Sequence, residues 1–256
     1  MRLSVLALLP FLSFCQVKPE LEIRVIYDNT SARSGVKEDW GYSAVVTFRG
    51  RRLLFDSGTK PELFLENLAK LQVAPQSIEK AMISHEHVDH RNGIYLLWPL
   101  HKSLPVHFLE SFEKPAWQAA EQIGMKPVAV TGPQELLPGM WTSGTIEGNP
   151  NEQSLSIETS KGLVMMVGCS HPGIVKMVKT VEAQRRRESI RLLIGGFHMY
   201  QQDRERILGQ IAELRGLKVG GIRPAHCTGE LAHGLFKAEW KESYGTAGAG
   251  NVITLD

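Results

Sequence analysis

Ser84-His85-Glu86-His87-Val88-Asp89-His90-Arg91-Asn92-Gly93 is the stretch whose reading decides the fold. It follows the apolar segment Ala81 to Ser84, so three histidines and an aspartate crowd onto what reads as a loop at a strand end. Imidazole and carboxylate together suit zinc, iron or manganese. Such a cluster can serve two cations held roughly 3.5–4 Å apart, and its aspartate offsets the repulsion between them. A solvated histidine-rich loop is the plain alternative. Four ligand groups at this spacing, directly after a buried strand, weigh against it.

Working outward, three more histidines stand just after apolar segments, among small residues. They are His171 in Gly168-Cys169-Ser170-His171-Pro172-Gly173, His198 in Gly195-Gly196-Phe197-His198, and His226 in Pro224-Ala225-His226-Cys227-Thr228-Gly229. Strand ends are where layered α/β proteins gather their functional side chains. These residues are therefore candidates for the distant ligands that the cluster requires. Asp56, in Leu53-Leu54-Phe55-Asp56-Ser57-Gly58, also ends an apolar strand and is placed to orient a ligating histidine from behind. A plain Asp-Ser-Gly turn is its alternative. His101, His107 and His233 lack such context and read as surface or packing residues.

Between these motifs the chain alternates short β-rich runs with helical periodicity. Strands are expected at Leu21–Tyr27, Tyr42–Phe48, Arg52–Phe55, Lys80–Ser84, Val106–Leu109, Leu155–Glu158, Leu163–Val167, Arg191–Ile194, Val219–Arg223 and Val252–Leu255. Helices are expected after Thr59 and Pro61, from Gly173 to Ala183, and after Asp203 as N-cap, with Ile207, Ile211 and Leu214 on one stripe. Early hairpin strands followed by strand–helix alternation argue for helices layered outside β-sheets. No repeat or linker interrupts the 256 residues, so one domain is expected. A net charge of +2 gives no reason to expect nucleic acid. Arg49, Arg51 and Arg52 around Gly50, and the run Arg185 to Arg187, read as solvated faces.

The N-terminus differs in kind. Arg2 precedes an apolar run from Val5 to Phe14, shorter than the roughly 20 residues a bilayer span needs. It matches the core of a secretory signal peptide, with Ser13 and Cys15 as the small residues before a cut at Gln16. Residues 1–15 are thus expected to be removed, leaving a mature chain 16–256 without a transmembrane span, exported and periplasmic. A lipoprotein acylated at Cys15 ranks second, because Phe14 is bulky where a small residue is usual. Cys169 and Cys227 remain, enough for one disulfide or none.

His85-Glu86-His87-Val88-Asp89-His90 and Phe55-Asp56-Ser57-Gly58 resemble the signatures of the metallo-β-lactamase superfamily. The resemblance implies an α/β fold, an αβ/βα sandwich with its site along one edge of two facing sheets. Tyr27-Asp28-Asn29-Thr30, Trp40-Gly41-Tyr42-Ser43 and the Gly-Cys-Ser-His, Gly-Gly-Phe-His and His-Cys-Thr-Gly segments are similar to one branch. That branch is named after the archaeal dihydropterin ribofuranosyl-aminobenzene phosphate synthase, and the likeness runs from about Leu21 to the C-terminus. It implies two divalent metal ions, zinc preferred over iron or manganese. His85, His87 and His171 would hold one, and Asp89, His90 and His226 the other. Asp89 and His198 would be the catalytic residues. Cys169 stands where a bridging aspartate is usual, so metal ligation by Cys169 or His198 stays open. The function implied is hydrolysis of a small-molecule ester, a phosphoester ahead of other esters, by metal-activated water. A synthase-type transferase and a non-catalytic exported metal- or ligand-binding protein are the alternatives. Oligomeric state is left open.

Overall fold

A computed structural model describes residues 19–186 and 189–256. The proposed signal peptide, with its cut site at Gln16, and Arg187 of the basic run lie outside the described residues. Among the described residues thirteen strands form two sheets: β1 (Leu21–Tyr27), β2 (Ser43–Phe48), β3 (Arg51–Phe55), β4 (Lys80–Met82), β5 (Val106–Leu109), β6 (Val128–Val130), β7 (Gln134–Leu137), β8 (Met140–Thr142), β9 (Leu155–Thr159), β10 (Gly162–Val167), β11 (Ile190–Gly196), β12 (Gly221–Ala225) and β13 (Val252–Leu255). One sheet runs β13-β1-β2-β3-β4-β5-β6 and the other β12-β11-β10-β9-β8-β7. The helices are α1 (Pro61–Lys70), α2 (Val88–Arg91), α3 (Ile94–Leu97), α4 (Lys114–Gln122), α5 (Ile174–Arg185), α6 (Arg204–Gly216) and α7 (Glu230–Trp240).

Side-chain alternation explains the layering. In β10, Val164 and Met166 join the core between the sheets, where they meet Val46, Phe48 and Phe55. Leu163, Met165 and Val167 point the other way and pack with Ile174 and Val178 of α5, Ile207 and Ile211 of α6, and Phe236 of α7. A strand buried on both faces reads as an unbroken apolar run, as this one does. The first sheet repeats the pattern: Leu53 and Phe55 face inward, while Leu54 packs outward with Phe64 and Leu68 of α1. Fully burying each such side chain contributes about 1.5–3 kcal/mol. The architecture is therefore the expected αβ/βα sandwich in a single domain.

Several local details differ from the sequence expectation. Strands β6 to β8 and helices α2, α3, α4 and α7 were not anticipated, so Asp89 and His90 lie in a short helix and not in the expected loop, and β12 lies two residues later than the expected Val219–Arg223. Thr59 does not cap α1: Lys60 is the N-cap and makes no side-chain cap bond, while the Thr59 hydroxyl donates to the Trp40 carbonyl. Asp203 does cap α6, accepting from Arg206 N at 2.8 Å. Gly50 turns the β2–β3 hairpin, with Arg49 paired to Glu20 and Arg51 to Glu79.

The parallel strands matter most for function. β3 pairs parallel with β4, and β10, β11 and β12 run parallel to one another. Their C-terminal ends reach the same edge of the sandwich and bring Asp56, the Ser84–His90 segment, His171, His198 and His226 together. Gly195 keeps that edge tight. Its φ is +127°, and an added Cβ would lie 1.9 Å from the Val167 carbonyl oxygen, so no other residue fits.

Candidate metal centre

Five of the histidines converge as two overlapping groups. The His85, His87 and His171 rings lie 4.7–4.8 Å apart, centroid to centroid. His90 Nε2 lies 3.2 Å from His226 Nε2, and Asp89 Oδ2 lies 3.3 Å from His226 Nε2 and 3.9 Å from His90 Nε2. His85 and His90 stack between the groups at 4.1 Å and are wholly buried. His198 sits beside His171 at 4.4 Å, at the outer end of the row.

What lies behind the rings fixes which nitrogen each presents. Asp56 Oδ2 accepts from His90 Nδ1 at 2.7 Å and from the Ser84 hydroxyl at 2.7 Å, and its Oδ1 accepts from Ser84 N at 2.6 Å. With the Ser84 hydroxyl committed to Asp56, His85 Nδ1–H donates to Ser84 Oγ at 2.9 Å. His226 Nδ1 meets Asn29 Oδ1 at 2.9 Å, while Asn29 Nδ2 donates back to the His226 carbonyl at 3.1 Å. In all three residues Nδ1 is used from behind and Nε2 faces the shared space. That is how outer partners orient metal-ligating histidines. His85 Nε2 and His171 Nε2 are buried without a hydrogen-bond partner, an arrangement that costs free energy unless a cation completes it. The donor set fits divalent metal ions.

Charge around the site follows burial and pairing. Burial lowers His85 well below the ordinary histidine value, lowers His87, and takes His171 down to about 3. His90 is opposed by burial too, but the adjacent Asp56 carboxylate prevails and raises it to about 9. Burial works against ionisation of Asp89, yet the His226 hydrogen bond and the neighbouring imidazoles hold it below the usual carboxylate range. Trp40 Nε1 donates to Asp89 Oδ2 at 2.8 Å, which fixes that carboxylate from the solvent side. Burial thus keeps His85, His87 and His171 neutral beside an ionised Asp89, the protonation states that ligands need, while His90 holds a proton that a bound cation would displace.

One buried carboxylate is absent from the sequence expectation. Glu152 lies in the loop before β9 and is fully buried. Its Oε1 accepts from the amides of Gly168 at 2.9 Å, Cys169 at 3.0 Å and Ser170 at 3.0 Å, and its Oε2 accepts from His171 N at 2.9 Å. Burial raises this carboxyl to about 7, against the pull of those amides. A glutamate in a polar stretch after Asn149-Pro150-Asn151 carries no sequence signal that separates it from a solvated residue. Asp28 is comparable: it accepts from His226 N at 2.8 Å, and burial raises it to about 6. Glu147, nearby in the sequence, is exposed, and only its carbonyl is engaged, by Lys176. The remaining histidines pack as expected: His107 Nδ1 meets the Ala81 carbonyl, His101 Nε2 the Ile78 carbonyl, and His233 Nδ1 the Tyr244 hydroxyl.

Comparison with known proteins agrees with this geometry. The metallo-beta-lactamase superfamily pattern matches residues 39–166. The chain is 32% identical over 247 residues to the 7,8-dihydropterin-6-methyl-4-(beta-D-ribofuranosyl)-aminobenzene-5'-phosphate synthase of Methanocaldococcus jannaschii, spanning 79% of this chain and 84% of that protein. It superposes on Tm1679, a metal-dependent hydrolase of the beta-lactamase superfamily, with a TM-score of 0.77 and 26% identity, covering 92% of this chain and 99% of that one. The metallo-beta-lactamase fold protein YhfI from Bacillus subtilis shares the fold, with a TM-score of 0.68 at 16% identity over 92% of this chain and 99% of that one. The sequence match over half the chain, the relative at 32% identity and the two-sheet architecture lead to one conclusion: this chain belongs to the metallo-beta-lactamase superfamily.

Proposed function

We propose that the protein is a dinuclear metal-dependent hydrolase that cleaves a small ester with metal-activated water. His85, His87 and His171 hold one ion, and Asp89, His90 and His226 hold the other. The observation that carries this reading is the set of Nε2 atoms turned into one space by Ser84, Asp56 and Asn29. Zinc suits the imidazole-rich donors, with iron or manganese as alternatives. When bound, two cations lower the pKa of a shared water toward neutrality. Asp89, fixed by Trp40 Nε1, orients that water and accepts its proton at Oδ2. His198, raised above its ordinary value chiefly by the Cys227 sulfur, holds a proton for the leaving group. A groove of about 430 Å³ lined by His87, Asp89, Arg91, Glu113 and Asn149 gives a small molecule access. A phosphoester leads among substrates, because the relative at 32% identity is named for a phosphorylated compound.

That same relative supports a second reading, a transferase of the synthase type, about as well. Elemental analysis of the chain from Gln16, followed by a panel of chromogenic phosphodiesters, phosphomonoesters and lactones, separates the two. At least two equivalents of metal with chelator-sensitive hydrolysis support the hydrolase. Bound metal without hydrolysis of any ester favours group transfer, and absence of metal after reconstitution sinks both. We further propose export to the periplasm after removal of residues 1–15. N-terminal sequencing of the cell-derived protein checks this: Gln16 is expected first, an acylated Cys15 would mean a lipoprotein, and an intact Met1 would end the proposal.

A further inference from the structure

The dinuclear assignment leaves half of three motifs unused. It takes His171 from Gly168-Cys169-Ser170-His171, His226 from His226-Cys227-Thr228-Gly229, and no ligand from Gly195-Gly196-Phe197-His198. Cys169 and Cys227 are left over, and His198, with only a proton to hold in the proposed hydrolysis, gives up that role where it ligates a cation. They stand at the ends of three adjacent parallel strands, β10, β11 and β12, and one donor atom from each lies within 4.8 Å of the others. Both cysteines are buried free thiols, with their sulfurs 3.2 Å apart, well beyond the ~2.05 Å of a disulfide. His198 Nδ1 is buried without a partner.

The backbone is shaped to hold these three together. His198 adopts φ +50°, a left-handed conformation that costs a residue with a Cβ roughly 1 kcal/mol or more. An added Cβ on Gly196 would lie 2.8 Å from Cys227 Sγ and 2.5 Å from the Gly168 carbonyl oxygen, so glycine is required for this approach. Two thiols and an imidazole are also a softer donor set than the histidines and aspartate next to them.

We propose that Cys169, His198 and Cys227 form a separate Cys₂His site for a thiophilic cation such as zinc, adjoining the dinuclear centre, with the Cys169 sulfur as the shared wall. Cys169 Sγ lies 3.2 Å from His90 Nε2, so the two sites are in contact. The separateness of the new site rests on the dinuclear reading. Thiolates select zinc or Cu(I) over harder ions, and three protein ligands leave a fourth position for water or a ligand atom. Binding replaces the thiol protons, which pass to solvent, by two metal–sulfur bonds.

Zinc titration of the metal-free chain, with elemental analysis and zinc X-ray absorption, tests this on the wild type, Cys227→Ser and His198→Ala. The expected result is about three equivalents in the wild type, with a sulfur shell near ~2.3 Å beside a nitrogen/oxygen shell near ~2.0–2.1 Å. Each variant should lose one equivalent and, with it, most of the sulfur signal, while keeping the nitrogen/oxygen shell. Two equivalents without sulfur, a third without sulfur, or a sulfur signal unchanged in Cys227→Ser overturns the proposal and leaves the dinuclear centre standing. Sulfur-bound zinc alone, lost in Cys227→Ser, supports this site and removes the dinuclear reading. No zinc at all removes both. Should the variants misfold, cobalt titration of the wild type decides: thiolate-to-cobalt charge-transfer absorption must grow with a third equivalent, and its absence counts against the site.

Discussion

Replacing Glu152 by alanine removes the one acceptor shared by four consecutive amides, the buried ones of Gly168, Cys169 and Ser170 and the part-buried one of His171. An unpaired buried N–H costs about 1–3 kcal/mol. Water entering the vacated space would restore part of this, so the lower bound of about 1 kcal/mol per amide is the appropriate figure, roughly 4 kcal/mol in all. For a domain of this size each kcal/mol shifts Tm by about 2–4 °C, so a fall of roughly 8–16 °C is expected. Calorimetry on the metal-free protein is the assay, since bound metal adds its own stabilisation. Glu152→Gln should fall between: its carbonyl keeps the three amides on Oε1, but its NH₂ faces the His171 amide. The reasoning also predicts a functional effect, because the loop that Glu152 anchors carries His171. Zinc affinity at the His171 position should weaken in Glu152→Ala even in the fraction that stays folded. A Tm within about 3 °C of wild type, or no ordering of alanine below glutamine below glutamate, would refute the argument that this carboxylate holds the loop.

Three further outcomes are expected. Asp56→Asn turns one of the two oxygens that accept from His90 and Ser84 into a donor and removes the charge; zinc affinity in a chelator competition should drop roughly 10–100-fold, and an unchanged affinity would contradict that role. Asp89→Ala should cut turnover of whichever ester is hydrolysed by roughly 10²–10⁴-fold, and full activity with metals still bound would remove Asp89 from the mechanism. Glu20 is held chiefly by the Ser160 hydroxyl, with Arg49 beside it, so its carboxyl falls from 4.5 to about 2. A depressed carboxylate contributes stability that is present above 4.5 and is lost as pH falls toward about 2. Glu20→Gln should therefore flatten that part of the acid-unfolding curve, and a Tm-versus-pH slope identical to wild type over this window would count against it.

The sequence by itself determined the layers and most of the residues gathered at the candidate site, because both are written in local pattern. The apolar run Leu163–Val167 and the amphipathic stripe on α6 announce a strand between helices wherever the chain goes. The cluster from His85 to His90 needs no distant partner to be recognised. Elements with weak local signals were not legible. Strands β6 and β8 have three residues each, and α4 carries Pro115 in its first turn and few large apolar residues. Helix α7 does carry a regular stripe, Ala232, Leu235, Phe236 and Trp240, but it starts directly on the turn that completes the His226 motif. Only the tertiary structure decided how the centre is supported. Asn29 and Asp28 reach His226 across 197 and 198 residues, Trp40 reaches Asp89 across 49, and Cys169 meets Cys227 across 58. Such contacts depend on which strand ends the two sheets bring to a common edge. No spacing along the chain encodes them, because a hydrogen bond or a sulfur contact depends on distance in space alone.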